Sequence, residues 1–355
     1  MHLNVFASQN CFVRCRGCYS FSREEKKGKY ISTDKLIRFL KYAYDEGTKK
    51  VTLCGGDPLA REDIIDLIER IKEIGLSISL DTVGSSIIKD IKLGRKTTIK
   101  QIDANKIAEN IDIIGIPIDG SNNKTFKLFR QTKADLLNEQ LAICEKLHQA
   151  GANICINTVA HKGNLEDAEE LAKLIKSLNY LNKWQIFQYE PLGKYGMKNR
   201  DSFEITETQF LEFQSDVLKV FGNDSSKVQF KSFNDRKNAY VLIDNSGNAW
   251  IPSDKIMSDT EFSYDLGKDV IIGNICNPED WDEICSYLDR DTESLDRKQS
   301  TINRNSSVNS ARREFASRIS NGGKYNKLIS LREQFEDNNT VVLEDNIETK
   351  NDGSR

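Results

Sequence analysis

Strand-like and helix-like hydrophobic patterns alternate six times between His2 and Val220, and this alternation restricts the fold more than any other feature. Strand patterns fall at residues 2–8, near Val51, and at 77–81, 111–119, 153–159 and 184–190. Helical spacing of apolar residues falls at 32–44, 61–74, near Ala104, and at 136–150, 165–178 and 207–220. Ser32 or Thr33 supplies an N-cap for the first helix. Parallel strands need crossover helices, so six such units imply a parallel sheet with helices outside it. Six is short of the eight that close a full (β/α)8 barrel. Pro117 inside the fourth strand pattern points to an edge or a bulge there.

Beyond residue 223 the pattern changes. Residues 228–233 read as a strand. Tyr240 to Ile251, turning at Asn245-Ser246-Gly247-Asn248, reads as a hairpin. From residue 289 the chain is polar, and disorder is the expectation to about residue 321, with one amphipathic helix near 327–335. The domains expected are thus a core at 1–223, a small β-rich extension at 224–288 closing one side of the sheet, and a polar tail at 289–355.

With 355 residues, 38% of them hydrophobic, the chain can bury one large core plus an appendage. A net charge of −3 argues against a general nucleic-acid binder. No apolar run approaches the ~20 residues that span a membrane, and no basic-then-apolar signal stands at the N-terminus. The expectation is therefore a cytoplasmic protein without membrane partners. Eight cysteines fit that setting, where thiols serve metals and catalysis more often than disulfides.

Three of them, Cys11, Cys15 and Cys18, stand in C-x3-C-x2-C spacing. Thiolates that close suit a soft metal centre. A cubane iron–sulfur cluster takes four ligands, so three leave one iron open to a small molecule. A zinc knuckle or three reduced thiols is the plainer alternative. Val51-Thr52-Leu53-Cys54 then runs into Gly55-Gly56-Asp57-Pro58. Two glycines allow close approach to the backbone, and a carboxylate there can take an amine. Cys54, Cys155 and Cys144 sit in apolar patterns and read as buried hydrophobes, and Cys276 and Cys285 read as structural.

The cysteine triplet followed by a strand and Gly-Gly-Asp-Pro resembles the radical S-adenosylmethionine (SAM) superfamily. The resemblance implies a partial (β/α)6 barrel of the α/β class and a [4Fe–4S] cluster on Cys11, Cys15 and Cys18. It implies that the open iron chelates SAM, with Gly55, Gly56 and Asp57 at the methionine end. Members often place an aromatic residue just before the third cysteine, against adenine. Here Gly17 stands there and Tyr19 follows, so Tyr19 is the candidate. The implied chemistry is reductive cleavage of SAM to methionine and a 5′-deoxyadenosyl radical that abstracts hydrogen from substrate, with flavodoxin or ferredoxin as electron donor.

Ligands of parallel α/β sheets bind at the C-terminal strand ends. That rule selects Asp81, Thr82, Gly84 and Ser85; Asp119, Gly120 and Ser121; Asn157, Thr158 and His161; and Gln188, Tyr189 and Glu190. Asp81 joins the cofactor-binding candidates, Asp119 or Asn157 is a partner for the SAM ribose, and Arg130 for the SAM carboxylate. Gln188, Tyr189 and His161 are the catalytic candidates; the plainer alternative is that these residues cap helices and close turns. For substrate, a ribosomally made peptide (a maturase) is the first expectation. A nucleotide or other small molecule, as in viperin-type dehydratases, is the second. A glycyl-radical activase, favoured by Gly17-Cys18-Tyr19, and a non-catalytic electron carrier complete the alternatives.

Overall fold

The computed structural model describes residues 1–20, 30–93, 97–132, 135–236, 239–251 and 270–289. The described residues belong to one compact unit, and residues 290–355 lie outside the described residues. The tail and the helix expected at 327–335 therefore fall outside the description as well.

Among the described residues ten strands make the main sheet: β1 (His2–Ser8), β2 (Lys50–Gly55), β3 (Ser77–Asp81), β4 (Ile113–Pro117), β5 (Ile154–Ala160), β6 (Lys183–Gln188), β7 (Val228–Lys231), β8 (Tyr240–Ile243), β9 (Asn248–Ile251) and β10 (Val270–Asn274). Their order is β7-β6-β5-β4-β3-β2-β1-β8-β9-β10. All neighbours from β7 across to β8 run parallel, and β9 and β10 are antiparallel. The six expected strands are all present, but the parallel stretch has two more. The chain after residue 223 sends β7 to one edge and β8 to the other, so it extends both sides of the sheet. β4 is central, which corrects the edge reading of Pro117. The proline is the last residue of the strand, where a missing N–H matters least.

The crossover helices are α1 (Thr33–Asp45), α2 (Ile64–Ile74), α3 (Ala104–Asn110), α4 (Asn123–Phe129), α5 (Leu136–Gln149), α6 (Ala168–Lys176) and α7 (Glu207–Phe221). Each buries a 3.6-period stripe; in α2 it is Ile64, Leu67, Ile68 and Ile71. α2 begins three residues later than its pattern suggested because Arg61 has another task. Its guanidinium is buried, donates to Asp63, Thr33 and the Ala7 carbonyl, and lies over the Tyr30 ring. Thr206 and Gln209 close α7 with a reciprocal capping box.

The helices cover one face of the sheet. On β6, Trp184, Ile186 and Gln188 are buried beneath them, while Lys183, Gln185 and Phe187 alternate onto the concave face. Cross-strand register carries that concave face through Cys155 and Asn157 of β5, Gly115 of β4, Asp81 of β3, Cys54 of β2 and Phe6 of β1.

Candidate active site

The three cysteines lie on the loop after β1. A two-residue ribbon anchors it: Arg14 pairs with Gln131, and Cys15 with Arg130. The Cys18 amide donates to the Cys15 carbonyl at 3.2 Å. Burial pushes the Cys11 thiol up, and Asp57 and the other two cysteines add to that. Burial also pushes Cys15 up to about 12, against the pull of Arg130. Among the described residues no three His, Cys, Asp or Glu side chains gather tightly enough for a single metal ion. A cubane needs a wider triangle, because each thiolate takes a different iron. Three soft donors on one loop, close enough to oppose one another's ionisation, fit that cluster.

Gly17 has a packing cause. A Cβ there would meet the Tyr189 ring at 2.5 Å and the Phe129 ring at 2.6 Å. An aromatic side chain has no room at that position. Tyr19 instead lies on the concave side, its ring 5.8 Å from Phe6, in a wall completed by Cys54, Leu242 and Trp250.

The Gly-Gly-Asp segment is packed against the cysteine loop from its other end. A Cβ on Gly55 would meet the Ser8 carbonyl at 2.8 Å, and one on Gly56 the Asn10 carbonyl at 2.3 Å. Gly55 also holds φ +114°, where a side chain is strained. The amides of Gly56 and Asp57 donate to Ser8 and Asn10 at 2.7 and 2.6 Å. These glycines thus seat the loop directly. The Asp57 carboxylate is buried and accepts from Thr82 Oγ1 at 2.6 Å, Val83 N at 2.7 Å and Leu59 N at 3.0 Å. Burial still pushes it up to about 6.

Asp81 and Asn157 meet on the concave face. They stand two strands apart, on β3 and β5, and Asn157 Nδ2 donates to Asp81 Oδ1 at 2.9 Å. The bridge passes over Gly115 of β4, where a Cβ would lie 2.2 Å from that oxygen and 2.4 Å from that nitrogen. Only a residue without a side chain lets the pair form. Solvent reaches Asp81 from the cleft, yet the surrounding walls strip enough water to push it up to about 6.

Lys231 closes the far wall. It sits across from Phe187, 5.4 Å from that ring, with the Arg236 guanidinium 5.9 Å from the same ring. Arg236 pairs with Glu190 at 3.3 Å. Desolvation and the charges of Lys183 and Arg236 pull Lys231 below the usual lysine range. Among the described residues no carboxylate lies within ion-pair distance of Lys183 or Lys231. Lys231, Lys183 and Gly115 escaped the sequence analysis. The signal for the lysines was their alternation phase in β6 and β7, which the register alone assigns to the cleft.

Several strand-end candidates are used by the fold instead, as the turn-and-cap alternative had it. Gln188 points to the helix side, donates to the Ile205 carbonyl at 3.3 Å and accepts from Phe233 N at 3.0 Å, which corrects its place as a substrate contact. Tyr189 is buried with Phe129 and Phe203 and donates to the Gly196 carbonyl at 2.9 Å. His161 is sealed in the same aromatic group, stacked 5.2 Å from Phe129, and Nδ1 accepts from Gly163 N. Burial pulls it down to about 4, so it is a neutral packing residue and a poor acid or base. Thr158 accepts from Trp184 Nε1, and Ser121 is bound to Asp167. Asp119 and Arg130 are partners of each other, with Asp119 Oδ1 also accepting from Val159 N at 2.8 Å. Of the other cysteines, Cys54, Cys144, Cys155 and Cys285 are buried and Cys276 is partly so.

The profile of the Radical SAM superfamily matches residues 5–175, which take in the cysteine loop, Gly-Gly-Asp-Pro and β1 to α6. That stretch of the chain is similar to the superfamily, whose members use a [4Fe–4S] cluster and SAM. Its curated relatives include S-adenosylmethionine-dependent nucleotide dehydratases of Lacinutrix mariniflava and Flammeovirga pacifica, 27% and 23% identical over 69% of this chain. The match spans 49% of the first relative's length and 80% of the second's. The GTP 3′,8-cyclase of Aliarcobacter butzleri is 29% identical over 58% of this chain and 60% of its own. Among solved structures, Streptococcus suis SuiB bound to precursor peptide SuiA aligns with TM-score 0.60 at 16% identity, covering 81% of this chain and 64% of its own. Native anSMEcpe with bound AdoMet aligns with TM-score 0.56 at 15% identity, covering 81% and 82%. At such identities these two establish the fold, a partial barrel. No helix among the described residues is long and apolar enough to cross a membrane.

Proposed function

We propose that this chain is a radical SAM enzyme acting on a phosphorylated nucleotide held on the concave face of the sheet. The cluster, when bound on Cys11, Cys15 and Cys18, supplies the electron for reductive cleavage of SAM. The protein's own residues do the rest. The ribbon through Cys15 and the glycines at 55 and 56 fix the loop. Phe6, Tyr19, Leu242 and Trp250 form an apolar wall beside it that excludes water. The Asp81–Asn157 pair orients polar groups of the ligand midway across the cleft.

Lys231 is the observation that carries the substrate assignment. Its half-buried ammonium shares the Phe187 ring with Arg236, and lost hydration, more than the charges of Lys183 and Arg236, weighs against it while Asp81 pulls the other way. A phosphate group relieves the repulsion between these cations and takes charge-assisted hydrogen bonds from them. The names of the relatives, nucleotide dehydratase and GTP cyclase, are consistent with such a ligand. A peptide substrate has fold likeness alone behind it. A one-electron donor such as flavodoxin or ferredoxin completes the reading.

The test is anaerobic reconstitution with iron and sulfide, followed by 5′-deoxyadenosine measurement under dithionite. Nucleoside triphosphates are expected to raise its formation, and the matching nucleosides and peptides are not. K231A should raise the half-saturating nucleotide concentration by about 10–100-fold, the worth of one hydrogen bond to a charged group, with SAM affinity unchanged. Equal stimulation by nucleosides, or an unchanged K231A, sinks the nucleotide assignment. No deoxyadenosine under any condition leaves a cluster-bearing electron carrier.

A further inference from the structure

Arg130 stands directly across the two-residue ribbon from Cys15. Its Nη1 donates to Cys15 Sγ at 3.4 Å, an ordinary length for a hydrogen bond to sulfur. Its Nε donates to Asp119, whose other oxygen is tied to the Val159 amide at the end of β5. Asp119 is fully buried and Arg130 nearly so. The guanidinium is therefore held from behind by a fixed carboxylate and aimed at one sulfur. Its position rests on the sheet itself rather than on the mobility of a long side chain.

We infer that Arg130 is a positioning residue that sets the reduction potential of the cluster through its hydrogen bond to the Cys15 thiolate. This rests on the assignment of Cys15 as a cluster ligand. Hydrogen bonds to the sulfurs and the local charge are main determinants of an iron–sulfur potential. Reduction adds one negative charge to a cluster that three thiolates already make electron-rich. A cationic donor on one of those thiolates stabilises the reduced state more than the oxidised one, so the potential rises. Asp119 has two opposed effects: its charge lowers the potential, and its grip keeps Nη1 on the sulfur. Arg130 thus faces the cluster side of its ion pair, where the sequence alone had assigned it to the SAM carboxylate.

The inference is tested by EPR-monitored redox titration of the reconstituted protein without SAM, at matched iron content. R130Q is expected to lower the reduced-to-oxidised ratio at fixed potential about tenfold, a downward shift of ~59 mV for a one-electron couple. R130K keeps the charge and loses the two-pronged geometry, so it should fall between wild type and R130Q. Resonance Raman in deuterated buffer gives an independent readout: one Fe–S(Cys) mode should shift on exchange in wild type and stop shifting in R130Q. If R130Q does not retain iron, R130K and the deuterium shift of wild type carry the test. A SAM-free potential unchanged in the variants, with only SAM binding weakened, overturns the inference and returns Arg130 to the carboxylate. Failure of wild-type protein to assemble any cluster is a different result, and it removes the cysteine assignment itself.

Discussion

The two faces of the same strands treat polar residues in opposite ways. On the helix side, Gln188, Thr158 and the strand-end group around Asp57 have their hydrogen bonds met by neighbouring backbone and side chains. On the concave side, Asp81, Asn157, Lys183 and Lys231 carry fewer internal partners, and their charges sit near one another in a cleft. Two carboxylates make the contrast sharp. Asp57 and Asp81 are both pushed up to about 6 by lost hydration, but three donors hold Asp57 and one amide holds Asp81. Asp57 is committed to the fold; Asp81 has acceptor capacity left for a ligand. A raised carboxyl pKa therefore does not separate structure from function here, whereas the tally of satisfied lone pairs does.

The largest effect should come from the cysteine loop, which lies outside this contrast and serves as its reference. C15A is expected to abolish iron retention, brown colour and deoxyadenosine formation together. Retained deoxyadenosine production refutes the ligand assignment. Next comes G115A, on the concave face. Its Cβ would occupy the space of the Asp81–Asn157 bridge, and a displacement of about 1 Å costs on the order of 10²-fold in turnover. Cluster assembly should stay normal in that variant, as judged by iron content and absorbance. Normal turnover by G115A would dissolve the distinction between the two faces.

Q188L tests the helix side. It leaves the Phe233 amide and the Ile205 carbonyl without their partner, so about 1–3 kcal/mol of stability should be lost, read by denaturant unfolding. Substrate affinity per folded molecule should not change. A loss of affinity with unchanged stability would move Gln188 to the cleft. The smallest effect is a pH slope at His161. Its folded pKa lies near 4, below the ordinary 6.5, so the native state binds this proton less readily than the unfolded chain. The contribution is present above 6.5 and is lost as pH falls towards 4. Between pH 6.5 and 5.5 the stability of wild type relative to H161F should fall by about 1 kcal/mol. Asp57 and Asp81, raised instead of lowered, act with the opposite sign in this range, so only the difference between the two proteins reports on His161.

Much of the fold was legible because it is local. Alternation of two and three-to-four residues gave all six core strands and six of the seven crossover helices, and β1 and β3 came out to the residue. β7 and β8 were seen as strands, but their parallel docking on opposite sides of the six core strands was not. α4 was missed, because Asn123–Phe129 is a short segment whose buried contacts are Phe126 and Phe129 alone. Strand-end position overselected site residues. Residues one apart on a strand face opposite ways, and the phase of β6, which sends Gln188 to the helices and Phe187 to the cleft, is set by what packs on each side.

The sequence by itself determined the donor set and the sheet: three thiols within eight residues, a glycine pair at a strand end, and hydrophobic periods that require parallel strands under helices. Those are short-range facts of spacing. Tertiary structure alone decided that Asp81 and Asn157 meet over Gly115, that Arg130 faces Cys15 rather than open solvent, and that Lys231 shares a cleft with Lys183. Each of those pairings joins residues from different strands, and register, which no local pattern encodes, places them within reach.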